Sequence, residues 1–203
     1  MAGYAVLDLE TTGFSPARGD RIIEIGLVRL DPAGAIDDEW STLVNPRRSM
    51  RATRVHHITS DDVAKAPTMS QLAPELVDRL RGRVIVAHNS SFDVGFLTAE
   101  LRNAGMTIPP ETIPNVCTMR QSTRFLQAKS RRLVDCCAAA GVSLVNAHSA
   151  LGDARATAEL FGHYLAAAGD ELPWQSVVDR AETYPWPRPL FAEPTVQPRH
   201  RPA

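Results

Sequence analysis

Apolar positions recur along this chain with two periods, and the change from one to the other predicts the fold. Tyr4, Ala5, Val6, Leu7 and Leu9 form a run that reads as a strand, interrupted only by Asp8 and Glu10 and broken at Gly13. The turn-rich residues 14–20 lead into a β-branched run, Arg21-Ile22-Ile23-Glu24-Ile25-Gly26-Leu27-Val28-Arg29-Leu30, which stops at Asp31-Pro32-Ala33-Gly34. Over residues 35–44, Ile36, Trp40, Thr42 and Val44 share one alternating face, and Asn45-Pro46 ends the run. Three strands joined by short turns predict an antiparallel meander.

The period then lengthens. Thr68-Met69-Ser70-Gln71 has capping-box spacing ahead of Leu72, Leu76, Val77 and Leu80, which predicts a helix ending near Gly82. Pro74 leaves its start at either Thr68 or Ser70, because proline is tolerated best in a first turn. Val84-Ile85-Val86-Ala87 reads as a strand, and a strand after a helix turns the meander into an α/β crossover. It delivers His88-Asn89-Ser90-Ser91-Phe92-Asp93, behind which Val94, Leu97, Leu101 and Ala104 trace a helical face capped by Gly105. A brief strand at Val116-Cys117 and helices over 118–127, 133–140 and from Ser149 to about 168 complete the pattern. Residues 1–168 read as one domain. Residues 169–203, with prolines at 173, 185, 187, 189, 194, 198 and 202, read as a tail with a short helix near 174–181 and an extended stretch beyond it.

The acids change the picture. On a strand, Asp8 and Glu10 share a face about 7 Å apart, and such a pair among apolar neighbours is costly unless a cation neutralises it. Asp93 falls in the first turn of a helix, and so does Asp153 if Ser149 is a cap. Five helical residues turn through about 140°, so His148 and Asp153 converge only if His148 lies on the preceding loop. The net charge of -1 excludes a general polyanion-binding surface, leaving a local patch or bound metal to meet any nucleic acid. Arg47, Arg48, Arg51 and Arg54 with His56 and His57 are the densest cationic cluster, read either as a phosphate-contacting loop or as a solvated one. Three cysteines without metal-ligand spacing read as core residues of a reducing compartment. With no apolar run long enough for a membrane span and no leader pattern at Met1, the expectation is a cytoplasmic protein without membrane contact.

In this order the motifs resemble those of the DEDDh, or DnaQ-like, 3′–5′ exonucleases, which include the proofreading epsilon subunit of bacterial DNA polymerase III. Asp8-x-Glu10-Thr11-Thr12-Gly13 resembles the first family motif, His88-Asn89-x-x-Phe92-Asp93 the second, and His148-x-Ala150-x-x-Asp153-Ala154 the third. Residues 55–59 and 66–68 resemble a further family segment, with His57 where the family usually has glycine. The resemblance spans about residues 4–167. It implies an RNase H-like α/β fold whose mixed sheet, a three-strand meander plus α/β units, is flanked by helices. It also implies hydrolysis of terminal phosphodiesters to nucleoside 5′-monophosphates with two Mg2+ ions, Mn2+ able to substitute, on Asp8, Glu10, Asp93 and Asp153. His148 would then take the proton of the attacking water. Thr11, Thr12, Gly13, Phe14, His56 and Asn89 would meet the terminal nucleotide. The substrate implied is a DNA 3′ end, single-stranded or frayed, in proofreading or repair. An RNA-trimming or oligoribonucleotide-degrading enzyme shares every motif, and a non-catalytic polymerase accessory would be marked by a missing acid or histidine. The tail offers a docking segment for a polymerase or sliding clamp, with Leu190-Phe191 resembling the end of a clamp-binding peptide.

Overall fold

Strand β1 (Tyr4–Thr11) is the centre of a five-stranded sheet, flanked by the antiparallel β2 (Ile22–Leu30) and the parallel β4 (Val84–Ala87). Outside these lie β3 (Ile36–Leu43), antiparallel to β2, and β5 (Asn115–Cys117), parallel to β4, giving the order β3-β2-β1-β4-β5. The computed structural model describes residues 2–50, 57–145, 148–187 and 196–201. The meander and the crossover are both present, as the hydrophobic pattern requires.

Alternation along the strands sorts their side chains into two layers. Ala5, Leu7 and Leu9, with Ile25, Leu27 and Ile85, enter one buried cluster with the helices α2 (Met69–Leu80) and α3 (Ser90–Asn103). Tyr4 and Val6, with Val28, Leu30, Val84 and Val86, enter the other, with α6 (Ala150–Ala168). Helices α4 (Thr118–Phe125) and α5 (Leu133–Ala140), the latter stopped by left-handed Gly141, lie on this second side, with Cys136 and Cys137 of α5 buried in the cluster and Cys137 Sγ against the carbonyl of Ala156 on α6. The short helix α1 (Ser60–Ala64) begins with a reciprocal capping box between Thr59 and Asp62 and covers Ile23 and Leu43. By parity Asp8 and Glu10 belong to the α6 side.

Three expectations shift. Helix α2 starts after Thr68, whose capping box with Gln71 fixes the first turn, and Pro74 is accommodated in the second turn, so Ser70 is not the start. Ile36 is 53% exposed, because it opens an edge strand whose outer half is polar. There Asp37, Asp38 and Glu39 are paired with Arg83, Arg79 and Arg155. The helix after β5 stops at Phe125, two residues short of the expected end.

Residues 169–187 pack against the domain. Helix α7 (Gln175–Thr183) buries Val178 and Ala181 in the α6-side cluster, and Trp186 reaches the other cluster. Trp174 is 2% exposed, its ring 5.1 Å from that of Phe161 and 6.0 Å from that of Phe125, and its Nε1–H donates to Tyr4 Oη at 3.5 Å. The Leu190-Phe191 part of the clamp-binding expectation lies outside the described residues. Among the described residues no helix is long and apolar enough to cross a membrane. Trp174→Ala is expected to cost about 3–5 kcal/mol of unfolding free energy in urea titrations. A loss below about 1 kcal/mol would show that α7 and its neighbours contribute little to the fold.

Candidate active site

The four acids converge at the carboxyl ends of the parallel strands β1 and β4, the position where open α/β sheets expose their crevices. Carboxylate oxygens of Asp8, Glu10 and Asp153 all lie within 4.8 Å of one another. Asp93, in the first turn of α3, is buried behind them and close enough to Asp8 to raise its pKa by charge. Asp153 is carried by the first turn of α6, where Ser149 accepts the N–H of Gly152 at 3.1 Å.

Glycine makes this approach feasible. In the β1–β2 ladder Asp8 faces Gly26, and a Cβ at Gly26 would lie 2.2 Å from the carbonyl of Ala150. The start of α6 therefore rests directly on the backbone of β2, and any larger residue would push Asp153 away from Asp8. Gly13 plays a similar part in the loop after β1, since a Cβ there would fall 2.4 Å from the Asp20 carboxylate. That carboxylate accepts the Ser15 N–H at 3.1 Å, and the Arg48 guanidinium reaches Asp20 and the carbonyl of Gly19.

The remaining residues expected to touch substrate are placed unevenly. Thr11 and Thr12 are buried, and their hydroxyls serve the loop: Thr11 Oγ1 donates to Gly13 O at 2.6 Å, and Thr12 Oγ1 accepts the N–H of Arg21 at 3.0 Å. Phe14 is 89% exposed beside the acids' strand end. Asn89 is exposed ahead of α3, its Oδ1 accepting the Ser91 hydroxyl at 3.1 Å. His56, Arg51 and Arg54 lie outside the described residues. His57 adopts a left-handed backbone (φ 56), the conformation that explains why glycine suits this position in the resembled segment. A groove of about 620 Å3 runs along α3, lined by Ala17, Ser90, Ser91, Thr98, Arg102 and Arg120, with none of the four acids in its lining.

His148 sits on the turn before α6, exposed and left-handed (φ 67), and its N–H donates to Asp153 Oδ2 at 3.2 Å. It is thus on the loop, as convergence with Asp153 requires. Two charged residues that the sequence did not mark also border the site. Glu24, 5% exposed on β2 directly opposite Glu10, accepts the N–H of Ala150 at 2.9 Å. Glu100, 2% exposed on α3, is gripped by the Arg21 guanidinium in two bonds of 2.7 Å and accepts the N–H of Ile22 at 3.1 Å, tying the loop after β1 to the helix that carries Asp93. The only signal for either in sequence was an acid within an otherwise apolar run.

Burial, with mutual charge behind it, raises the pKa of these carboxyls. Burial, followed by Asp93, Asp153, Glu10 and Glu24, pushes Asp8 well above the usual carboxylate range. Burial and the Glu24 charge bring Glu10 to about 7, against the pull of Arg201. Burial brings Asp93 to about 8, with the backbone amides of Asp93 and Leu9 drawing it partly back. Asp153 is raised by burial and held down by the His148 N–H. The donor set fits divalent cations: hard carboxylate oxygens are grouped on one face, and Asp153 Oδ1 is buried without a hydrogen-bond partner.

The sign of the linkage follows from these raised values. Groups whose folded pKa exceeds the unfolded one stabilise the fold below the unfolded pKa, and that contribution is lost as pH rises through about 7 for Glu10 and about 8 for Asp93. Divalent cations bind the deprotonated carboxylates, so their stabilisation grows as pH rises. The rise in Tm on adding Mn2+ to EDTA-treated protein is therefore expected to be larger at pH 8 than at pH 5.5. Equal rises at both pH values would separate cation binding from these acids.

The chain is similar to known exonucleases and DNA polymerase III components. The family model for exonucleases of the RNase_T type matches residues 5–161. A PolC-type DNA polymerase III of Clostridium perfringens is 36% identical over 183 residues, 89% of this chain and 12% of that protein. The DNA polymerase III subunit epsilon of Treponema pallidum is 34% identical over 166 residues, covering 80% of this chain and 76% of the subunit. The chain thus spans a small part of the PolC-type relatives and most of the epsilon subunit. Among solved structures, the nuclease domain of 3′hExo, a DEDDh family member bound to rAMP, superposes with a TM-score of 0.70 at 20% identity over 84% of this chain and 94% of that one. E. coli exonuclease I in complex with a dT13 oligonucleotide gives 0.69 at 17% identity over 80% and 40%.

Proposed function

Because the chain belongs to the RNase_T exonuclease family, a family of metal-dependent 3′–5′ exonucleases with the RNase H-like fold, we propose that it removes nucleotides from single-stranded or frayed DNA 3′ ends during proofreading or repair. The observation that carries this reading is the set of Asp8, Glu10 and Asp153 oxygens within 4.8 Å of one another, with Asp93 behind them and a buried, partnerless Asp153 Oδ1. These four acids would hold two divalent cations, Mg2+ by preference with Mn2+ able to substitute. Cations bound there supply Lewis-acid activation of the attacking water and neutralise the leaving oxygen.

The chain's own groups do the rest. His148, exposed on its turn and next to Asp153, accepts the proton of the attacking water, a task suited to an imidazole near neutral pH. Phe14 offers an aromatic face to the terminal base, a contact that tolerates any base and so suits removal of whichever nucleotide is last. Thr11, Thr12 and Gly13 shape the loop that presents Phe14, and the groove bordered by Arg102 and Arg120 gives the preceding phosphates a path away from the acids. The DNA preference rests on the relatives named as DNA polymerase III components, and the same kinship supports action beside a polymerase in the cytoplasm.

Digestion of matched DNA and RNA oligonucleotides tests this directly, with DNA expected to be degraded at least about tenfold faster. A 3′-phosphate should block degradation and a 5′ block should not, and the reverse pattern would refute the polarity. Asp8→Ala is expected to reduce the rate by more than about a hundredfold while leaving the fold intact, because it removes a repelling charge. Near-normal turnover by that variant would sink the assignment of the acids. Phe14→Ala should raise KM for single strands by about tenfold with little change in kcat, and an unchanged KM would remove the ring from substrate binding.

A further inference from the structure

The C-terminal segment returns to the active site. Residues 196–201 run along the open edge of β3: the N–H of Leu43 donates to the carbonyl of Arg199 at 2.6 Å, the N–H of Arg199 donates to Thr42 Oγ1 at 3.0 Å, and Ser41 Oγ lies 3.2 Å from His200 Nδ1. The segment covers part of a strand edge. Its last described residue, Arg201, places its guanidinium on Glu24 in a two-pronged pair of 2.7 and 2.6 Å, and Nη2 also donates to the carbonyl of His148 at 2.9 Å.

The geometry points to Arg201 as a positioning residue for the turn that presents His148. Glu24 and Arg201 bracket that turn: the carboxylate holds the N–H of Ala150 and the guanidinium holds the carbonyl of His148. His148 is a non-glycine residue in the left-handed region, a strained conformation that persists only where its surroundings fix it. The bracket supplies that fixation, together with the Ser149 cap and the bond from His148 N–H to Asp153. Charge gives a second reason. Glu24 stands opposite Glu10 in the strand ladder, and like charges in that arrangement repel. The Arg201 guanidinium, paired with Glu24, offsets this repulsion. A planar, two-pronged cation suits the task, whereas an ammonium would serve one prong only.

The kinetic part of this inference rests on the exonuclease reading, and the structural part does not. The test uses the full chain with Arg201→Ala and Arg201→Lys, and with Arg199→Ala, an exposed side chain of the same charge on the same segment, for comparison. Hydrogen–deuterium exchange is followed over residues 148–153, and oligonucleotide digestion is measured with Mn2+. Arg201→Ala is expected to speed exchange of the Ala150, Gly152 and Asp153 amides by about tenfold, with β1 amides unchanged. It should lower kcat by about 10- to 100-fold with KM within about twofold, as loss of an outer support does when the chemical groups remain. Arg201→Lys should fall between wild type and Arg201→Ala, and Arg199→Ala should match wild type. Unchanged exchange in Arg201→Ala overturns the proposal. A raised KM with kcat intact would overturn it in favour of a phosphate contact, and a raised kcat would overturn it in favour of an obstructing arm. If the wild-type protein digests no nucleic acid yet exchange responds as expected, the exonuclease reading fails while the hold on the turn stands.

Discussion

Repulsion among carboxylates is the interaction on which this structure turns. Asp8, Glu10, Asp93 and Asp153, with Glu24 close by, crowd into one partly buried corner, and any two of Asp8, Glu10 and Asp153, ionised about 5 Å apart at an effective dielectric near 20, would repel by about 3 kcal/mol. Together with burial, the larger cause, this repulsion raises the pKa of Asp8 and Asp93 above the usual carboxylate range. The scaffold around them is arranged so that this corner cannot relax by spreading apart. Strand β1 is buried from both faces, the start of α6 lies on Gly26 with no room for a side chain between, and α3 is tied to the loop after β1 through Arg21 and Glu100.

Each of those restraints follows from a local choice in the sequence. Alternation along β1 commits Leu7 and Leu9 to one layer and therefore Asp8 and Glu10 to the other, so the register that buries the core also aims the acids. Ser149 ends the preceding loop with a hydroxyl on the Gly152 N–H, which sets the phase of α6 and hence the direction of Asp153. Glu24 adds a carboxylate at the positive end of α6, where a helix favours negative charge, and so couples the phase of that helix to β2.

The parts legible in sequence were those written in short-range signals. Period-two and period-3.6 patterns marked the strands and most helices, caps marked the ends of α2, α5 and α6, and the family motifs marked Asp8, Glu10, Asp93, His148 and Asp153. What escaped was long-range. Glu24 looked like one polar residue in a β-branched run, and its meaning appears only when β2 is laid beside Glu10 and Arg201 arrives from 177 residues away. Glu100 looked like one more charge on a helix until Arg21 and the N–H of Ile22 enclosed it. Among the prolines after residue 168, the short helix expected near 174–181 forms as α7, while the packing of Trp174 and Trp186 into the two buried clusters is a long-range contact that local signals do not carry. Pro74 is a further case, since tertiary burial of Leu72, Ala73, Leu76 and Val77 outweighs one missing helical bond.

These remote contacts have a common logic. Cations bound there would relieve the crowding of the acids, so the fully charged site would be least favourable before they bind, and the geometry to receive them would have to be imposed by the protein alone. A site built only from its own loop would open under its own charge. Here the restraint comes from elements fixed elsewhere: β2 is held by two neighbours, α3 by the part-buried Arg21–Glu100 ion pair, and the turn before α6 by a guanidinium whose own segment is hydrogen-bonded to the sheet edge. Distributing the restraint in this way lets His148 keep a strained backbone and Asp153 keep an unpartnered oxygen, two local penalties that the rest of the fold is stable enough to carry.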